Sequence, residues 1–225
     1  MMKTYNNRFT DAWLYVFLLW LYWNTFYNST ISLSICTFYE KLNYSFYKFK
    51  ILVSSIEKIV DSEINTMVSD LKTLINIPSV SAKNQNLVEC AEAVFALMNR
   101  IGIKSEIIYL DPKDKNVSDS SLPPPPVVYG EVKSQKNPNG KTILFYNHYD
   151  VQPEDPLDQW DVPPFSSEIA GNYIYGRGSS DDKGELITRI KAVEYFLRET
   201  GDVPCNIKFI VEGEEEYLVE KILVE

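Results

Sequence analysis

Residues 142–147, TILFYN, form an apolar segment of strand-forming residues that runs directly into His148 and Asp150. A helical pattern follows at about 183–199, and a second apolar strand segment, NIKFIV, occupies 206–211. A strand, a crossover helix and a second strand in this order are typical of a βαβ unit in a parallel sheet. This stretch therefore predicts an α/β fold.

The preceding residues fit the same class. From about residue 53, apolar residues recur mostly at three- and four-residue steps, which predicts an amphipathic helix. This helix should end at Ile77, because a residue before proline is disfavoured in the helical region. A second helix is predicted over about 86–101. Strands are predicted over 103–110 and 127–132.

Composition limits the function. The chain has 225 residues and a net charge of -9, which argues against nucleic-acid binding because phosphate contacts need a basic face. Its three cysteines lie far apart in the sequence, without a CxxC pair. We therefore expect reduced thiols, as in a cytoplasmic protein, for the main part of the chain at 53–225.

The N-terminal segment, residues 1–52, differs from the rest. Residues 1–60 hold 16 of the 30 aromatic residues, and 12–23 form an unbroken apolar run. That run is shorter than the roughly 18 residues of a spanning helix. Three interpretations remain open: a membrane anchor or uncleaved signal, an aromatic segment at a membrane interface, or translated sequence upstream of the true start.

Three polar clusters follow predicted elements. His148, the only histidine, follows one strand, Asp181 precedes the crossover helix, and Glu214–Glu216 follow the next strand. Open α/β sheets bind ligands at the carboxyl ends of their strands, so we expect the three clusters to meet. Taken singly, each has a simpler explanation: a turn at Asp150, a helix cap at Asp181 or Asp182, and a solvated acidic loop.

An imidazole and spaced carboxylates together are suited to metal-assisted hydrolysis. His148 could offer one ring nitrogen to a metal while Asp150 accepts the other N–H. Glycines around Asp181 permit the tight backbone that presents a carboxylate. Of the later glutamates, one could bind metal and its neighbour could act as general base.

The chain contains five motifs in this order: IPSVSA, NHYDVQP, WDVPPFS, IYGRGSSDDKGE and VEGEEE. They resemble the metallopeptidase M20 family, and within it the dipeptidases of the carnosinase type. The resemblance runs from about residue 56 to Glu216 and implies a three-layer α/β/α sandwich with a mostly parallel sheet. It also implies two divalent ions, Zn²⁺ or Mn²⁺, and hydrolysis of a peptide bond in dipeptides or short peptides, or of a related N-acyl amide.

The motifs carry the family's functional residues onto this chain. By resemblance, His148 and Glu216 bind metal, and Asp181 is the carboxylate that bridges the two ions. Asp150 corresponds to the residue that orients the histidine, and Glu215 to the general base. A shift of one residue would give Glu214 and Glu215 instead. The resemblance also predicts a cis peptide bond between Asp181 and Asp182.

The chain departs from the family after the glutamates, where Tyr217-Leu218-Val219 replace the usual Gly and Ser. The family's later metal-binding acid, its distant histidine and the lid domain used for dimerisation have no counterpart before Glu225. We therefore expect a catalytic domain that is incomplete at its C-terminus, with association through uncovered apolar surface. A non-catalytic remnant and an N-acyl-amino-acid deacylase of the same superfamily remain as alternatives.

Overall fold

The computed structural model describes residue 58 and residues 60–110 and 123–216. The predicted N-terminal segment 1–52, including the apolar run 12–23, lies outside the described residues, so its separate character and its membrane contact stay predictions. Within the described ranges, no helix combines the length and apolar character that crossing a bilayer requires.

Three helices and six strands, with helical residues at 215 and 216, form the described part of the chain. Each predicted helix and strand is present among the described residues. The predicted start of the first helix at about 53 lies outside them, and the other ends differ from the prediction by a few residues. Short 3₁₀ helices occupy Ser81–Lys83 and Leu157–Gln159. The elements are α1 (60–75), α2 (Leu87–Arg100), β1 (Lys104–Ile108), β2 (Val127–Val132), β3 (Thr142–His148), β4 (Glu168–Ala170), β5 (Tyr173–Tyr175), α3 (Lys183–Thr200) and β6 (Asn206–Glu212).

The main sheet has the strand order β1-β2-β6-β3, and β4 and β5 form a separate hairpin. β3 and β6 pair in parallel, with Phe145 opposite Phe209 and His148 opposite Glu212. This pair is joined by α3, the crossover that parallel pairing requires. β1 with β2 and β2 with β6 pair antiparallel. The α/β class is thus confirmed, and the sheet is mixed, with parallel pairing confined to the predicted βαβ unit.

The core lies on one face of this sheet. Alternation along β6 buries Ile207, Phe209 and Val211, as expected for a strand with one face turned inward. These side chains join one buried cluster with residues of all three helices, among them Leu74 and Ile190. The described residues therefore supply two layers of the predicted sandwich: the sheet and one helical layer.

The segment after α1 lies beside the end of β3. Val80 forms a parallel bridge with Val151, and the hydroxyl of Ser79 donates to the carbonyl of Tyr149 at 2.7 Å. The buried ammonium of Lys183 donates to the carbonyls of Leu74 and Ile77 at 2.8 and 2.7 Å. Each carbonyl also accepts a backbone N–H, Leu74 from Ile77 and Ile77 from Ser79, so the ammonium is a second donor to both. The bonds of Lys183 fix the start of α3 against α1, which places Asp181 at the end of β3.

Candidate metal centre

His148, Asp181 and Glu216 meet at the carboxyl end of the β3–β6 pair. One potential ligand atom from each of the three residues lies within 4.8 Å of the other two. His148 is the last residue of β3, and Glu216 follows β6 by four positions. The sheet edge therefore brings together the three residues that the sequence assigned to metal binding.

The two ring nitrogens of His148 face different carboxylates. Nδ1 lies 3.3 Å from Oδ1 of Asp150 and 3.2 Å from the Asp150 carbonyl oxygen, and Nε2 lies 3.1 Å from Oδ1 of Asp181. The imidazole is only 7% exposed, and Asp150 is fully buried. The hydrogen bond of Nδ1 goes to the carbonyl, and Oδ1 of Asp150 has no hydrogen-bond partner among the described residues. A histidine whose Nδ1–H is held by a carbonyl or a carboxylate presents Nε2 to a metal in a fixed orientation.

The electrostatics of the site favour a positive charge between these carboxylates. Burial works against the imidazolium form of His148, but hydrogen bonds to Asp150 and Asp181 outweigh it and raise the pKa of His148 to about 11. The hydrogen bond from His148 in turn lowers the pKa of Asp181, although burial opposes this. Opposite charges at this distance stabilise each other's ionised forms. A cation is therefore matched to the site.

Asp182 binds the end of β3. Its Oδ2 accepts the side-chain amide of Asn147 at 2.7 Å and the backbone N–H of His148 at 3.0 Å. It occupies the N-cap position of α3 but makes no side-chain capping bond, so helix capping does not explain this acid. Burial raises the pKa of Asp182. The peptide bond between Asp181 and Asp182 is cis, as the resemblance predicted.

Two glycines are required by close approach of the backbone. Gly178 has φ +80°, and a Cβ there would lie 2.8 Å from Cγ1 of Val151. A Cβ on Gly213 would overlap the buried ring of Tyr149. The ring of Tyr149 is itself fixed by a hydrogen bond from its hydroxyl to the carbonyl of Pro126 at 2.7 Å. Only glycine lets the backbone after β6 pass so near this ring.

The three glutamates after Gly213 have different surroundings. Glu216 contributes the third atom of the candidate metal group, and Oε2 of Glu215 lies 3.8 Å from Nε2 of His148. Partial burial raises the pKa of Glu216. Among the described residues, the metal group thus includes Glu216 and does not include Glu214.

Other contacts of the site were missed by sequence reasoning. The side-chain amide of Gln152 donates to Glu216, and Asn147 holds Asp182. Both residues stand in the NHYDVQP motif, yet nothing in their residue types distinguishes a site contact from a surface amide. The loop after them is fixed by Arg177, whose guanidinium lies 5.2 Å from the ring centroid of Trp160 and donates to the carbonyl of Pro153.

The donor set fits a divalent ion such as Zn²⁺ or Mn²⁺. One imidazole nitrogen and two carboxylates are ligands that both metals accept. The bond of His148 Nδ1 to the Asp150 carbonyl is the supporting contact that metal-binding histidines need, and the buried Asp150 carboxylate lies beside it. Among the described residues, this is the one group of histidine, cysteine and acidic side chains that meets the spacing for a metal ion.

Comparison with known proteins agrees with this geometry. Residues 144–220 match the model of Peptidase family M20/M25/M40. The chain is 34% identical over 172 residues to the Cys-Gly metallodipeptidase dug1 of Schizosaccharomyces pombe, covering 75% of this chain and 35% of that protein. It is 33% identical over 170 residues to the Beta-Ala-His dipeptidase of Homo sapiens, covering 73% of this chain and 33% of the relative.

A solved structure shows the same fold. The crystal structure of human carnosine dipeptidase 1 superposes with a TM-score of 0.64 at 33% identity, over 75% of this chain and 37% of that chain. The chain thus spans about a third of the length of the relatives that it matches. By its motifs, its fold and its identity to metallodipeptidases, the chain is similar to the M20 peptidases, and residues 144–220 match the model of that family.

Proposed function

We propose that this protein is a metal-dependent peptidase that cleaves dipeptides or short peptides. The observation that carries the proposal is the group of ligand atoms from His148, Asp181 and Glu216 within 4.8 Å, with Nδ1 of His148 held by Asp150. The relatives named Cys-Gly and Beta-Ala-His dipeptidases support dipeptides as the substrate class.

In this proposal, the protein's own residues divide the work. His148, Asp181 and Glu216 would hold the metal, and Asp181 would be the carboxylate shared if two ions bind. When bound, such ions supply the Lewis acidity that polarises the scissile carbonyl and acidifies water. Asp150 keeps the imidazole oriented.

Glu215 is the proposed general base. Its carboxylate lies beside the metal group, with Oε2 3.8 Å from Nε2 of His148, and its side chain is 43% exposed. It is therefore close to the proposed metal ligands and also open to water. Glu215 would take a proton from a water molecule at the centre and pass it to the leaving amine.

Two alternatives differ in a measurable way. An N-acyl-amino-acid deacylase would use the same residues on N-acyl substrates, and a non-catalytic remnant would bind metal without turnover. The full 225-residue chain should be incubated with Zn²⁺ or Mn²⁺ and with Cys-Gly, β-Ala-His and N-acetylated amino acids, and products followed by mass spectrometry.

We expect release of free amino acids from a dipeptide, and loss of that release in Glu215→Gln, which keeps the size of the side chain. Glu92→Gln, at an exposed acid of α2, is the matched control and should leave the rate unchanged. Cleavage of the N-acetyl substrates alone would favour the deacylase. Metal binding without any cleavage would favour the remnant and contradict the peptidase proposal for this chain.

A further inference from the structure

Gln152 makes two hydrogen bonds to one residue of the candidate metal centre. Its side-chain Nε2 donates to Oε2 of Glu216 at 2.6 Å and to the backbone carbonyl of Glu216 at 3.0 Å. A side-chain amide has two N–H donors, so both donors of Gln152 are used on Glu216. These bonds join the loop after β3 to the residues after β6.

The same glutamate is also held through its backbone N–H, which donates to Oδ2 of Asp150 at 3.0 Å. Glu216 is therefore bound at its N–H, its carbonyl and one carboxylate oxygen, all by residues of the NHYDVQP motif. A carboxylate has a second oxygen, and with Oε2 engaged by the amide this other oxygen remains for a cation.

The chemistry of an amide suits this position. A neutral N–H donor stabilises the ionised carboxylate of Glu216 without competing with a metal for the site, as an ammonium would. A glutamate in place of Gln152 would have no donor at neutral pH and would add a negative charge next to Glu216. A leucine would have similar size and no donor.

We propose that Gln152 is a positioning residue that fixes the Glu216 carboxylate for metal binding. The inference rests on the proposed function, because it takes Glu216 as a metal ligand. Gln152 itself does not contact the metal in this proposal. It acts by restricting the rotation of the Glu216 side chain and by tying the backbone of Glu216 to the loop after β3.

The test measures metal binding directly. Isothermal titration with Zn²⁺ and visible spectra of the Co²⁺-loaded chain should compare the unchanged protein with Gln152→Leu, Gln152→Glu and Gln152→Asn. We expect Zn²⁺ affinity to fall about 10- to 100-fold in Gln152→Leu, the usual effect of losing a residue that orients a metal ligand. The Co²⁺ spectrum should change as well, because the ligand geometry changes.

Gln152→Asn keeps the amide but shortens its reach, so it should also weaken binding, and it replaces Gln152→Leu in the comparison if that variant does not fold. Gln159→Leu, at an exposed glutamine of the same loop, should bind as the unchanged protein does. If the Gln152 variants lower the thermal midpoint but leave the Co²⁺ spectrum of the folded protein unchanged, the role of Gln152 is purely structural. That result would overturn the inference.

His148→Ala separates this inference from the proposed function. If His148→Ala loses Zn²⁺ binding while every Gln152 variant binds and absorbs like the unchanged protein, the inference about Gln152 is wrong and the metal centre stands. If the unchanged chain binds no Zn²⁺, or His148→Ala binds equally well, the metal centre and the role of Gln152 are both overturned.

Discussion

Oδ2 of Asp150 accepts the backbone N–H of Glu216 at 3.0 Å, while Oδ1 of the same carboxylate lies 3.3 Å from Nδ1 of His148. The residue assigned to orient the histidine thus also holds the loop that carries the proposed acidic ligand. Because Asp150 is fully buried, this double contact is protected from water, and the two proposed ligands are linked through one side chain.

Replacement of this shared carboxylate tests the link. We expect Asp150→Ala to lower Zn²⁺ affinity about 10- to 100-fold, since Glu216 loses the acceptor of its backbone N–H and the imidazole loses the negative charge beside Nδ1. Isothermal titration is the measurement. Asp158→Asn, at an exposed acid of the loop after β3, is the control and should bind normally. Equal affinity in Asp150→Ala and the control would show that Asp150 does not support the centre.

Asp182 and Asn147 should be coupled in stability. Removing the Asp182 carboxylate leaves the buried amide of Asn147 and the N–H of His148 without this acceptor. An unsatisfied buried group costs about 1–3 kcal/mol, so Asp182→Ala should lower the free energy of unfolding by roughly that amount.

A double-mutant cycle isolates the pair. We expect the combined loss in Asp182→Ala with Asn147→Ala to be smaller than the sum of the single losses, because the second change removes a group already left without its partner. Urea unfolding measures each step. Additive losses would mean that the two side chains do not interact.

An ion network around the buried Asp70 predicts acid sensitivity. Oδ1 of Asp70 on α1 lies 2.7 Å from a guanidinium nitrogen of Arg100 on α2. Its Oδ2 lies 2.6 Å from Nζ of Lys191 on α3. Burial tends to raise the pKa of Asp70, but the hydrogen bond from Arg100 and the nearby ammonium of Lys191 outweigh this and hold the pKa below its usual 3.8. A carboxyl group whose pKa is lowered by folding stabilises the fold at pH values above its pKa in the unfolded chain. This stabilisation is lost as the pH falls through the pKa of the folded state.

The comparison is between the unchanged protein and Asp70→Asn from pH 7 to pH 3. The free energy of unfolding should differ between them at pH 7, and the difference should shrink below about pH 4 as the carboxylate takes up a proton. Urea unfolding at each pH gives the values. A difference that stays constant across this range would contradict a role for the ionised carboxylate.

Because β3 is an exposed apolar edge strand of the described sheet, we expect the protein to self-associate. Leu144 and Tyr146 are 56% and 52% exposed, and the segment 142–147 at this edge of the described sheet has no charged residue. Uncharged apolar edge strands favour pairing between copies. Leu144→Lys should therefore increase the monomer fraction in size-exclusion chromatography with light scattering. A monodisperse monomer of the unchanged chain at high concentration would contradict this.

The sequence predicted the positions of the helices and strands more fully than it predicted which strands pair. The periods of β3, α3 and β6 reveal a βαβ unit because they reflect which face is buried. The antiparallel pairing of β2 with β6 depends on tertiary contacts between distant segments, which periodicity does not contain. Strand ends and glycines located the three polar clusters, because both are features of the local sequence.

Individual side-chain roles depend on geometry that motifs do not carry. Asp182 has the position of a helix cap, but the proximity of Asn147 gives it a different partner. Gln152 resembles any loop amide until the chain after Gly213 returns beside it. The place of Glu216 in the metal group likewise follows from how the backbone passes the ring of Tyr149.

The central claim is that His148, Asp181 and Glu216 hold a common cation. Its most direct test is Zn²⁺ titration of the full chain and of three single variants, His148→Ala, Asp181→Ala and Glu216→Ala, each checked for folding by circular dichroism. The account predicts that every variant binds at least about a hundred-fold more weakly than the unchanged chain, the upper range for residues that only orient ligands. Zn²⁺ binding of unchanged affinity in all three folded variants would contradict it.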